Sequence, residues 1–211
     1  MKCITERLKR EKERKRQEII DVAEKLFFME GFKETSMDEI AKKAEFSKRT
    51  VYKYFDSKED LYSAIALRGV ELFQKVILES SSDQETGFDK LASIANSLVE
   101  LKRVNINYAK VITHFLTQAL ESNNNGENIR NCKEMVINIK ILINRFINQG
   151  IEDGSIKKDI DIPKTVMSIQ TILVGMYMIN DKIYEYFMTD NISFNEVFEY
   201  NINLLLGLIK N

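Results

Sequence analysis

A chain of 211 residues can bury a sizeable core as one domain or two small ones, and a single proline, Pro163, with only eight glycines and 30% charged residues points to long helices and excludes a strand-rich fold. The formal net charge of −1 would argue against a nucleic-acid partner if it were spread evenly, but eight Lys or Arg against three Glu in residues 1–16 make the N-terminal arm about +5. Cys3 and Cys132 lie in no metal-ligand spacing and neither is near His114, so a reduced cytoplasmic setting is expected. No apolar run reaches the roughly 18 residues that span a bilayer, and no signal-peptide core follows the basic start.

In chain order, the arm reads as a helix from Glu6, with Glu11 and Lys15 four apart, and it gains an apolar face at Ile19, Ala23, Leu26 and Phe27 before stopping at Gly31. Ser36 precedes an apolar stripe at Met37, Ile40, Ala41 and Ala44, with Glu39 placed to complete a capping box. Three residues, Glu45, Phe46 and Ser47, then separate it from a short helix over 48–55, with Ser47 as its cap. Val51 and Phe55 share one face of that helix, and Lys48, Arg49, Tyr52 and Lys53 occupy the other. Two short helices with this turn length form a helix-turn-helix, whose second helix enters the major groove.

A fourth helix, capped by Ser57 with Asp60 three residues on, is expected to run from 58 to about 79 and to link the two halves of the molecule. Residues 80–87 form a polar loop. Further helices are expected over 88–103, 106–121, 128–149, 164–188 and 193–209, separated by polar stretches at 122–128, 150–163 and 189–191. The last two helices are apolar on more than one face, which leaves two readings open: ordinary core packing, or cover by a second subunit.

The first sixty or so residues resemble the DNA-binding domain of the tetracycline-repressor (TetR) family. The resemblance rests on Ala23, Leu26 and Phe27 with Gly31-Phe32, then Thr35-Ser36, Ile40-Ala41, Ala44, Ser47, Thr50, Tyr52-Lys53-Tyr54-Phe55 and Ser57-Lys58-Glu59. Two positions depart from the family pattern. Glu45 replaces a usual glycine, and if left-handed it carries a penalty of about 1 kcal/mol. Arg49 also stands where glycine is frequent, a change read as altered sequence preference.

The resemblance implies an all-α protein with an N-terminal helix-turn-helix domain over 1–57 and a C-terminal helical bundle over 58–211 for effector binding and dimerisation. It implies a homodimer formed through the last two helices, double-stranded DNA as partner, a pseudo-palindromic operator, and repression relieved by a small, largely apolar effector. A TetR-like activator or an effector-independent DNA-bound regulator stays open, as does a helical protein holding acidic partners with its arm. Nothing pairs a nucleophile or metal with a base, so no catalytic residue, metal or cofactor is assigned.

At the interface with DNA, Lys48 and Arg49 are the candidates for base edges, with Lys53 one turn on. Thr50, Tyr52 and Tyr54 have hydroxyls suited to phosphates, as the matching positions do in the family. Thr35 and Ser36 open the preceding helix, whose amides favour a phosphate, and Lys58 is expected to clamp the backbone. The arm would add salt-sensitive attraction or reach a minor groove. The competing readings are core packing for the tyrosines and solvated charge for the cations and arm. Candidate effector contacts are Tyr108, His114, Phe115, Gln118, Met135, Phe146, Met176 and Tyr177, although residues of this kind are more often core, and for His114 the structural reading is favoured.

Overall fold

The computed structural model describes residues 2–115, 126–178 and 192–211, so Gln118, most of the 122–128 loop and the break at 189–191 lie outside the described residues. The fold is helical, and among the described residues the one β-type contact is an isolated bridge between Ile156 and Lys210. No described helix is long and apolar enough to cross a membrane.

α1 (Lys2–Glu30) is a single helix. Its N-terminal stretch buries nothing from Glu6 to Arg14 and is held by surface ion pairs, Lys15 to Glu11 at 3.0 Å and Arg14 to Glu18. From Ile19 onward its apolar stripe enters the core, with Ile19, Ile20, Ala23 and Phe27 almost fully buried. It stops where Gly31 takes a left-handed φ of 89° and donates its N–H to Phe27 O at 3.0 Å.

α2 (Met37–Lys43) and α3 (Lys48–Val51) begin at serine caps: Ser36 Oγ accepts from Glu39 N at 3.2 Å, and Ser47 Oγ accepts from Thr50 N at 3.1 Å. Glu45 between them is left-handed, with φ 58°, so the strain foreseen for a residue other than glycine is present. α3 is shorter than its sequence pattern. Regular helix ends at Val51, and residues 52–55 continue in tighter turns, Lys53 N to Thr50 O at 3.1 Å and Tyr54 N to Val51 O at 3.0 Å. The tightening keeps both Val51 and Phe55 buried while the chain reverses toward the next cap.

Ser57 caps α4 (Lys58–Ser82) by accepting from Asp60 N at 3.1 Å. The helix runs three residues past expectation because its terminal serines satisfy their own turn: Ser81 Oγ donates to Ile77 O at 2.7 Å and Ser82 Oγ to Glu79 O at 2.9 Å. Then follow α5 (Gly87–Val104), α6 (Ile106–His114), α7 (Glu127–Glu152), α8 (Ile162–Met178) and α9 (Phe194–Ile209). α9 opens with a full capping box, Ser193 N donating to Glu196 Oε2 at 2.7 Å and Glu196 N to Ser193 Oγ at 3.3 Å. The chain end is tied down by Lys157 N to Ile209 O at 3.0 Å and Asn211 N to Ser155 O at 3.2 Å.

α4 connects two cores. Its first half joins α1, α2 and α3, together with Val111, Phe115, Ile129 and Cys132, whereas Ile77 belongs with Leu91, Ile94, Leu98, Ile147, Val166 and Ile209. α5 crosses α7 at glycines: a Cβ on Gly87 would fall within the backbone of Phe146 and Gly150. Bonds from Gly87 N to Asp153 Oδ2 at 2.8 Å and from Phe88 N to Ser155 Oγ at 3.1 Å fix this crossing. Hydrogen bonds from Ser155 and from the Gly87 amide hold the Asp153 carboxyl below its usual value.

Candidate nucleic-acid interface and apolar cavity

The short α3 presents its polar face outward. Only Val51 of this helix is buried, and Lys48, Arg49 and Lys53 are exposed. The Lys48 ammonium rests on Asp38 Oδ1 of α2 at 2.6 Å, and that hydrogen bond raises its pKa. Both partners are largely in water, so the pair is readily exchanged for a DNA contact. Arg49 has no ion-pair partner among the described residues. Tyr52 is 44% exposed, but Tyr54 is half-buried against the core of the N-terminal head formed by α1, α2, α3 and the start of α4. Thr50 Oγ1 lies 2.8 Å from Ser47 Oγ, one side of an exposed local pair.

Two of the expected phosphate contacts are differently employed. Thr35 is fully buried and its Oγ1 donates to Gly31 O at 2.9 Å, closing the turn after α1, so of the expected pair only Ser36 is exposed at the start of α2. Lys58, expected as a backbone clamp, points inward. Its Nζ donates to Phe32 O at 2.8 Å and Thr35 O at 3.1 Å, and it stands 4.4 Å over the Phe32 ring. Carbonyls of the loop between α1 and α2 take up this ammonium, and no sequence signal distinguishes that from a DNA clamp.

The basic arm is also not a loose tail. It is the first half of α1, and Lys9, Lys12 and Arg16, at i, i+3 and i+7, share a groove with Lys53 and Tyr54. Three cations of α1 thus flank the recognition segment beside its own Lys53, carried on the helix that the arm was expected to form.

An apolar cavity of about 150 Å³ lies in the other half of the molecule, walled by α4, α5, α7, α8 and α9. Phe73 and Ile77 contribute from α4, Leu91, Ile94, Ala95 and Leu98 from α5, Ile139 and Ile143 from α7. Val166, Ile169 and Gln170 of α8 and Ile202, Leu205, Leu206 and Ile209 of α9 complete it. Gln170 is its one polar side chain among the described residues. None of the described effector candidates lines it. Phe146 packs in the adjoining core under the Lys90 ammonium, Met176 packs with Phe198 and Ile202, and Phe115 and Met135 belong to the core around α1. Gln118 and the Tyr177 side chain lie outside the described residues. Apart from Phe73 and Gln170 the lining is aliphatic, and its isoleucines and leucines follow the same helical spacing as core residues; Gln170 inside an apolar run was the only distinguishing signal.

Tyr108 and His114 instead sit where α6 meets the head. His114 stacks 4.8 Å from the Phe32 ring and 5.0 Å from Tyr62, and burial pushes its imidazole below its usual value. Tyr108 donates to Glu24 Oε2 at 2.9 Å, and Arg68 of α4 reaches the same carboxylate at 3.1 Å and Asp21 at 2.6 Å. A second set of bonds, through Asn128 of α7, joins Arg16 and Asp60 at 2.6 and 2.9 Å.

Residues 19–65 match the family model of bacterial regulatory proteins of the tetR family. The chain is 25% identical over 179 residues to the fatty acid metabolism regulator protein of Bacillus subtilis (strain 168), covering 83% of this chain and 90% of that one. It is 26% identical over 153 residues to the HTH-type transcriptional repressor KstR2 of Rhodococcus jostii (strain RHA1), covering 70% and 71%. Among solved structures, the ketosteroid transcriptional regulator KstR2 of Mycobacterium tuberculosis superposes with a TM-score of 0.68 at 17% identity, covering 93% of this chain and 95% of that chain. AibR in complex with isovaleryl coenzyme A and operator DNA also gives 0.68, at 18% identity, covering 91% and 98%. At these identities the structural likeness establishes the fold.

Proposed function

We propose that this chain, whose residues 19–65 match the tetR family model, is a TetR-family DNA-binding regulator of transcription, a homodimeric repressor released from a pseudo-palindromic operator by an effector with an acyl or similarly apolar body. The observation that carries the reading is the apolar cavity whose wall includes Phe73 and Ile77 of α4, the helix that begins at the head. An apolar void of this size stays dry and gains by taking up hydrocarbon. The names of two relatives support the class: one regulates fatty acid metabolism, and AibR is seen with isovaleryl coenzyme A.

In this mechanism residues 1–57 read DNA and residues 58–211 bind effector and dimerise. Arg49 and Lys53, with Lys48 once released from Asp38, address base edges, and Tyr52 with the cation stripe of α1 engages phosphates. An effector that widens the cavity moves α4 and misaligns the two heads. Its differential affinity for the two shapes sets the response, typically 1 to 3 kcal/mol of coupling. Selection of bound sequences from random duplex DNA at physiological salt tests the reading: a two-fold symmetric consensus is expected, and binding of all duplexes alike would overturn it. Short- and medium-chain acyl-coenzyme A thioesters added to the selected complex are expected to release it.

A further inference from the structure

The polar bonds made by Asn128 tie the effector half to the recognition segment by a path that does not run along α4. Asn128 stands in the first turn of α7, only 6% exposed. Its Oδ1 accepts from Arg16 Nη2 at 2.6 Å and its Nδ2 donates to Asp60 Oδ1 at 2.9 Å. Each partner continues into the reading element. The Arg16 guanidinium lies 5.4 Å over the ring of Phe55, the buried anchor of the recognition segment. The other oxygen of Asp60 accepts from Asp56 N at 3.2 Å, in the turn that follows that anchor. Some three turns further along α7, Ile139 and Ile143 line the cavity.

We propose that Asn128 is a positioning residue for the DNA-reading head, transmitting displacement of α7 to residues 50–56 through Arg16 and Asp60. The chemistry requires a carboxamide of this length: one end must accept from a cation while the other donates to a buried carboxylate. An aspartate would face Asp60 with like charge, and an alanine would leave Asp60 Oδ1 without its donor. A shift of α7 therefore cannot be absorbed locally without breaking one of two charge-assisted bonds, the part-buried one to Arg16 or the buried one to Asp60.

This inference rests on the DNA-reading role of the head, but its test does not. Hydrogen exchange is followed in the full chain for wild type and for Asn128→Ala and Asn128→Asp, without DNA or effector. Exchange at residues 50–56 is expected to rise about tenfold or more, the factor set by losing about one buried hydrogen bond, together with the start of α7. Faster exchange confined to the start of α7 would make Asn128 a local tie and overturn the proposal, and so would an even increase over the whole chain, which reports lost global stability. If the Asn128 variants do not fold, Arg16→Met removes the bond from the other side and is read in the same way. Affinity for the selected operator is expected to fall in parallel. A wild-type protein that selects no operator would refute the DNA reading, with the exchange result still deciding the link.

Discussion

Tyr108 of α6 and Glu24 of α1 share a hydrogen bond of 2.9 Å, and Arg68 of α4 completes the site from 3.1 Å, so three helices meet at one carboxylate. Burial first, and then the bond to Glu24, pushes the Tyr108 phenol up to about 12. A group whose folded value lies above its unfolded value of about 10 stabilises the fold below pH 10, and that contribution is lost as pH rises toward 12. Tyr108→Phe is expected to lower stability at pH 7 by about 1 kcal/mol, read from urea unfolding. It should also make the alkaline loss shallower without abolishing it, because burial likewise pushes Tyr62 and Cys132 up to about 12.

Lys58 gives a sharper division between roles. With its ammonium on Phe32 O and Thr35 O, Lys58→Met strips two carbonyls of their donor, and the head should lose about 1 to 2 kcal/mol. The slope of log affinity against log salt should stay at the wild-type value, whereas loss of a phosphate contact would reduce it by roughly 1. Thermal unfolding and salt titration of the same variant check both halves.

The contrast between Lys58 and Arg49 marks how far the sequence could be read. Caps at Ser36, Ser47, Ser57 and Ser193, the stop at Gly31 and the buried pair Val51 and Phe55 follow from local rules, because each is decided within one turn of chain. Whether a surface lysine turns outward or caps a distant carbonyl depends on contacts 23 to 26 residues away, which no local pattern records. The cavity was illegible for a related reason. A void and a packed core are lined by the same aliphatic residues at the same spacing, and aromatic residues such as Phe115 filled the cores instead.

Glu45 holds the turn between α2 and α3 at φ 58°, a conformation that glycine adopts without steric penalty. Glu45→Gly is expected to relieve about 1 kcal/mol of strain and to return part of it through the greater freedom of the unfolded chain. The net expectation is a gain of about 0.5 kcal/mol in urea unfolding, with the consensus selected by the protein unchanged, since the Glu45 side chain lies outside the set of residues proposed to read bases.

Tyr200, Leu204 and Leu208 repeat every four residues along α9 and stand 65%, 50% and 67% exposed, a wet apolar stripe, and Met167 and Ile172 of α8 are exposed as well. Gly207 lies on the same helix, and a Cβ there would meet nothing within 4 Å, so packing within one chain does not require the glycine. A second copy across a two-fold axis would use both features, burying the stripe and approaching closely at the glycine. Leu204→Glu with Leu208→Glu should leave helix content intact, because these side chains are already in water in the single chain, and should convert the protein to a monomer by sedimentation. Since a monomer holds one half-site at a time, operator affinity is expected to fall by at least about tenfold. Dimers that persist in the doubly substituted protein would place the contact elsewhere on the molecule.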